Sequence, residues 1–168
     1  CLKVNKNMYE EAFKNIDDVF WKDAGCSSEL DYIEQTSWIL FLKYLDDYEE
    51  EKETEAILNG ETYERIIDKE FRWKEWAYPK TGEGKLNYDI ALTGDDLLEF
   101  VNKELFPHLA GFKQSEDNPR SINYKIGEIF SELRNKLQSG YSIREVINKV
   151  NDLKFLSNKE KLELSSLY

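Results

Sequence analysis

Histidine and methionine occur once each in the 168 residues, at His108 and Met8, and cysteine twice, at Cys1 and Cys26. A lone imidazole excludes multi-histidine metal centres and two-histidine proton relays. Its setting, Phe106-Pro107-His108-Leu109, points to a packing or surface histidine. Two sulfurs are no disulfide framework, so reduced thiols are expected and Cys26 has a structural role. No run approaches the roughly 18 apolar residues that span a bilayer, which makes the cytoplasm the default location and a membrane partner unexpected. An initial cysteine keeps a lipid-anchored reading open, although residues 2–8 are no flexible Ser/Gly tether. No glycine-rich phosphate loop follows a predicted strand: Gly82 and Gly84 lie in a loop, one residue apart, without a strand–helix context. Adjacent carboxylates such as Asp17-Asp18 and Asp46-Asp47 carry no sign of a cleft that would shift their acid constants. No catalytic residue, cofactor site or metal site is therefore expected within these residues.

What the chain does have is aromatic and acidic residues. Aromatics make up 14% and apolar types 40%, enough for a core that needs no disulfide or metal. The charge is uneven. Residues 8–64 carry 17 acidic and 4 basic side chains, while residues 65–168 carry 17 of each. The acidic half repels phosphate at long range, so any nucleic-acid contact belongs to the second half or to a partner.

Hydrophobic spacing predicts a mainly α, compact, bundle-like domain over residues 1–168, with an irregular, loop-rich insert around 69–92. A first helix is expected over 8–22, capped by Asn7, with Tyr9, Ala12, Phe13, Ile16, Val19 and Phe20 as its buried stripe. Gly25 ends it. Ser28 opens a long second helix with Leu30, Ile33, Ser37, Leu40, Phe41, Tyr44, Leu45 and Tyr48 as core face. Trp38, Ile39 and Leu42 add apolar surface on other sides, so its middle is expected to be buried nearly all round, and the acidic run 49–55 to be a solvated end. A short helix is expected around 62–68. Thr93 starts another, which Pro107 stops, and 109–119 reads as a surface loop. Ile122, Ile126, Ile129, Phe130, Leu133 and Leu137 form one helical stripe closed by Ser139-Gly140. Capping boxes at Ser142/Glu145 and Ser157/Glu160 open the last two helices.

The insert carries the sharpest candidate. Between residues 69 and 85, Lys69, Arg72, Lys74, Lys80 and Lys85 interleave with Phe71, Trp73, Trp76 and Tyr78. Three glutamates leave a net charge of +2. Basic groups among aromatics can track a phosphate backbone, and Trp, Tyr and Arg also favour protein interfaces. The third alternative is that the aromatics close the open end of the bundle. Lys69, Arg72, Trp73, Lys74, Trp76, Lys80 and Lys85 are thus candidate DNA or partner contacts.

Three stretches together resemble the N-terminal domain of the modification (M) subunit of bacterial type I restriction–modification systems. They are residues 13–48, from Phe13 to Tyr48; residues 93–112, from Thr93-Gly94-Asp95-Asp96 to Pro107-His108-Leu109-Ala110-Gly111-Phe112; and residues 124–168. The last contains Ile126-Gly127-Glu128-Ile129-Phe130, Ser139-Gly140-Tyr141-Ser142 and the closing Ser165-Ser166-Leu167-Tyr168. The resemblance spans nearly the whole chain and implies that the parent subunit transfers a methyl group from S-adenosylmethionine to the N6 amine of adenine in DNA. It also implies that catalysis and cofactor binding sit in a Rossmann-like domain beyond Tyr168 with an Asn-Pro-Pro-Phe-type motif absent here. The implied partners are a specificity (S) subunit, a second M subunit, a restriction (R) subunit and double-stranded DNA. The acidic half then suits protein or solvent. Residues 69–85 and 120–154, the latter with seven basic to four acidic side chains, suit DNA. A helical protein-interaction or adaptor module unrelated to methylation is the rival reading.

Overall fold

The computed structural model describes residues 2–115 and 117–153, with side chains from Glu10 onward. The described residues are mainly helical, as the spacing predicts, and contain no strand, only one isolated antiparallel bridge between Lys80 and Leu86. Helix α1 runs Leu2–Trp21 and α2 runs Glu29–Leu58. After the irregular insert come α3 (Gly94–Phe100), a wide π turn (Val101–Leu105) and α4 (Phe106–Ala110). The short α5 (Phe112–Ser115), then α6 (Ile122–Glu132) and α7 (Gly140–Asn151), complete the order. Helix α7 packs against α1, α2 and α3, and α6 against α4 and α5. No helix among the described residues is long and apolar enough to cross a membrane.

Helix α1 starts at Leu2, earlier than the expected Asn7 cap, but Phe13, Ile16, Val19 and Phe20 are buried as its stripe requires. Helix α2 is capped as expected by the Ser28 hydroxyl, which accepts from the Asp31 N–H. The expected core face holds only in part, with Leu45 buried and Trp38, Ile39 and Leu42 buried beside it as their added apolar surface suggests. Leu30 is 62% exposed, whereas Asp31, Gln35, Trp38, Leu42, Leu45, Asp46 and Glu49 face inward. Trp38 anchors the apolar part, edge-on to Phe106 at 5.0 Å, and Phe106 meets Phe130 edge-on at 5.2 Å. The polar part of that face has a different task.

That task is visible in residues 133–139. The apolar stripe predicts helix through Leu137, yet α6 ends at Glu132 and the chain continues as an extended strap. Its peptide groups bond to side chains instead of to one another. Gln35 Nε2 donates to the Arg134 carbonyl at 3.0 Å, and Gln35 Oε1 accepts from the Lys136 N–H at 3.2 Å. The buried Asp23 carboxylate accepts from the N–H groups of Gly25, Gln138 and Ser139 at 2.8, 3.0 and 3.1 Å. Asn135 Oδ1 takes the Leu137 N–H at 3.1 Å. Every polar backbone group so treated is spared the cost of burial without a partner. Lys136 Nζ closes the arrangement on Asp31 at 2.5 Å.

A second irregular stretch is held the same way. Residues 62–68 are not the expected helix, because Glu49, 1% exposed, accepts the Ile66 and Ile67 N–H groups at 2.5 and 3.4 Å. Glu49 is therefore not part of a solvated end. Pro107 likewise does not stop its helix. The i→i+5 bonding of the π turn, with the Phe106 N–H on the Val101 carbonyl, widens the turn in which the proline ring would otherwise clash. Leu109 and Ala110 continue that helix, and α5 occupies part of the expected 109–119 loop. Helix α7 begins at Gly140, two residues before the expected box, with Ser139 as cap accepting from the Ser142 N–H. Here a side chain on Gly140 would meet the Gly94 carbonyl at 1.6 Å, so close approach of backbones fixes the start. The Ser157/Glu160 box lies outside the described residues.

Two outcomes follow. A Cβ on Gly25 would sit 1.7 Å from the Lys136 carbonyl oxygen, so Gly25→Ala must push the strap away from its side-chain partners. It should lower stability by about 3 kcal/mol in urea unfolding. The second outcome concerns pH. The Lys136 ammonium, with the Ser27 N–H, holds the Asp31 carboxyl well below the usual carboxylate range. A carboxyl whose folded value is depressed stabilises the fold above the unfolded value, about pH 4, and loses that contribution as pH falls further. Asp31→Asn should therefore show a shallower loss of stability than the wild type between about pH 4 and pH 2.

Candidate functional site

The insert opens with a 3-10 turn at Lys69–Phe71 and a π turn at Trp73–Ala77. Its aromatics point inward. Trp73 and Trp76 are buried, edge to face at 5.9 Å. Trp76 lies 5.6 Å from Phe100, and Phe71 stacks on His108 at 3.9 Å. Both indole N–H groups are engaged, Trp73 on Asn151 Oδ1 at 2.9 Å and Trp76 on the Phe71 carbonyl at 3.0 Å. Neither indole is presented for stacking on a base. The single histidine is half-buried between Phe71 and Phe112, the packing role its neighbours suggest.

The basic residues of the insert divide. Arg72 Nε donates to the Ile67 carbonyl at 2.9 Å, and Lys74 is paired with Glu50. Lys69, Lys80 and Lys85 are exposed and have no ion pair among the described residues. Lys80 and Lys85 flank a turn tied by the Thr81 N–H on the Lys85 carbonyl at 2.8 Å and the Asn87 N–H on the Pro79 carbonyl at 2.8 Å. Of the seven candidate contacts, four are thus braces of the insert and three are free charges at its surface.

Arg144 on α7 holds the far end of this insert. Its Nε and a terminal nitrogen both donate to the Leu92 carbonyl, at 2.9 and 2.6 Å, and the other terminal nitrogen donates to the Ala77 carbonyl at 2.5 Å. Burial pulls its pKa down from the usual guanidinium range. The rigid fork of a guanidinium suits two carbonyls that no helix or sheet would bring together. The sequence places Arg144 among the basic residues of 120–154 that suit DNA, because one basic residue on a helix gives no sign that its charge turns inward, yet it is buried.

Other chemistry-bearing groups have structural partners. Asp46, Asp47 and Glu50 bring carboxylate oxygens within 4.8 Å of one another. Each faces a cation: Arg65 at 3.7 Å, Lys43 at 2.7 Å and Lys74 respectively. That arrangement is an ion-pair network, and burial raises the Asp46 carboxyl above its usual range. The Cys26 thiol is free and buried, and burial, with Asp23 and Asp31 nearby, pushes it up to about 11. It stays protonated and non-nucleophilic at neutral pH. Two open grooves of about 540 and 530 Å³ flank the strap and share Asn102 and Asn135. The two amides bond to each other at 2.9 Å.

Residues 10–163 match the HsdM N-terminal domain family. The chain is 36% identical over 156 residues to the type I restriction enzyme EcoEI methylase subunit of Escherichia coli, covering 92% of this chain and 29% of that protein. A crystal structure of a modification subunit assigned to a type I restriction enzyme from Vibrio vulnificus YJ016 superposes with a TM-score of 0.81 at 31% identity. It covers 95% of this chain and 33% of that one. A second structure, addressing complex assembly and conformational transition of the type I R-M system, superposes with a TM-score of 0.68 at 30% identity over 95% of this chain and 28% of that one. The chain thus spans about a third or less of each relative.

The clamp yields a prediction. Arg144→Met should leave the Leu92 and Ala77 carbonyls without donors and cost about 2–4 kcal/mol in chemical denaturation. Arg144→Lys should recover less than half of that, because an ammonium cannot fork between the two carbonyls.

Proposed function

The chain belongs to the HsdM N-terminal domain family, and from that membership we propose that residues 1–168 form one accessory helical domain of a type I adenine-specific DNA methyltransferase subunit. The observation that carries this reading is the 36% identity over 156 residues to a type I methylase subunit. An adaptor module unrelated to methylation gains nothing from the same observation.

The division of labour follows from the reaction. A methylase must bring the exocyclic amine of adenine out of the base stack, so the duplex has to be gripped on both sides of the target. S-adenosylmethionine and the transfer step belong to the remainder of the parent subunit, because residues 1–168 contain no Asn-Pro-Pro-Phe-type motif and no glycine-rich cofactor loop. This domain supplies shape and contact surface in a cytoplasmic complex of two M subunits, an S subunit and an R subunit around double-stranded DNA. Within the insert, Lys69, Lys80 and Lys85 are the proposed DNA or partner contact groups, and Arg72, Trp73, Lys74 and Trp76 hold them in place. The acidic α2 half is the poorer surface for phosphate.

The test compares the intact parent subunit with one lacking residues 1–153. The truncated subunit should bind S-adenosylmethionine within about threefold of the intact one and lose N6 methylation of duplex DNA in the assembled enzyme. Micromolar S-adenosylmethionine binding by residues 1–168 alone, or full methylation by the truncated subunit, would overturn the reading.

A further inference from the structure

Around the Arg144 clamp the surface changes character. Tyr88 is 81% exposed, Ile90 64% and Tyr141 71%. Isolated exposed apolar residues are ordinary, but these three surround one fixed point. Tyr88 and Ile90 stand four and two residues before the clamped Leu92, and the Tyr141 ring packs over Gly94 one helical turn before Arg144.

The patch is also held rigidly. The Ile90 and Ala91 N–H groups bond to the Asn87 carbonyl at 3.3 and 2.9 Å, and the Asp89 N–H bonds to Asn87 Oδ1 at 3.2 Å. Arg144 then fixes Ala77 and Leu92, the two ends of the segment that presents Tyr88 and Ile90. A surface already held in one conformation loses little entropy on binding.

Charge decides between the classes of occupant. Asp89 stands between Tyr88 and Ile90, Asp95 follows the Gly94 that Tyr141 covers, and Glu145 lies one turn after Tyr141; all three are exposed, as is Lys85 three residues before Tyr88. The Arg144 guanidinium is taken up by backbone carbonyls and does not reach out to a phosphate. Three carboxylates against one lysine repel a polyanion, whereas aromatic rings beside carboxylates suit arginine and lysine side chains. We propose that Tyr88, Ile90 and Tyr141 form a protein docking surface that takes a basic, partly apolar face of another subunit of the assembled enzyme. This inference rests on the methyltransferase-subunit reading and moves the aromatic part of the contact surface from the buried tryptophans to these exposed side chains.

The experiment uses the intact parent subunit, its purified cognate subunits and a duplex oligonucleotide. Tyr88→Ser combined with Ile90→Ser should leave the unfolding temperature unchanged, since neither side chain is buried, and weaken subunit association about tenfold or more. Asp89→Lys combined with Asp95→Lys should weaken it as well, and wild-type association should fall as salt rises. Duplex affinity of the unassembled subunit should not change in either variant. Unchanged association in both variants overturns the inference. Normal association with weakened duplex binding also overturns it and assigns the patch to DNA. Failure of the wild-type subunit to join any of the cognate subunits removes the methyltransferase reading, and the docking surface with it. That result is distinguishable because it appears before any substitution is made.

Discussion

Buried side chains on helices that hydrogen-bond the backbone of neighbouring non-helical segments are the interaction on which this domain depends. Asp23 and Gln35 hold the strap at 133–139, Glu49 holds the loop at 66–67, and Arg144 holds Ala77 and Leu92. Each would be costly to bury alone, and each is matched to peptide groups that would be equally costly without it. The pairing is therefore mutual: the loops need these side chains, and the helices tolerate such polar interior faces only because the loops are there. An all-apolar α2 would pack well but would leave the strap without partners.

This constraint explains how the surface is arranged. The strap brings Lys136 onto Asp31, and the clamp sets the orientation of the turn that carries Tyr88 and Ile90. Residues far apart in the chain are thereby held together, on segments that would be mobile if only their own backbone bonds held them. For the proposed role of presenting contact surface such rigidity is a gain, since flexible loops would have to be ordered at every encounter.

The sequence makes much of this legible, but not the part that depends on polar burial. The apolar stripe of α1, the Ser28 cap and the helical class follow from spacing and propensity alone. The α2 face does not, because Leu30 and Ile33 look like core and Asp31, Gln35 and Glu49 look like surface until the strap and loop supply their partners. Residues 133–139 illustrate the same override: Leu133 and Leu137 stand at helical spacing, and Arg, Lys, Leu and Gln are good helix formers, yet tertiary bonding from Asp23 and Gln35 draws the segment out straight. In the insert, basic and aromatic residues at 69–85 rightly draw attention, but composition cannot say which rings turn inward. Trp73 and Trp76 became core while Tyr88 and Tyr141, outside the basic run, stayed exposed.

Amide hydrogen exchange on the folded chain tests the central claim most directly. The N–H groups of Ile66, Ile67, Lys136, Gln138 and Ser139 should exchange as slowly as those in the middle of α2 and α7, because all of them open only with the core. Exchange at those five amides at the rates of an open loop, with the helices still protected, would contradict the account.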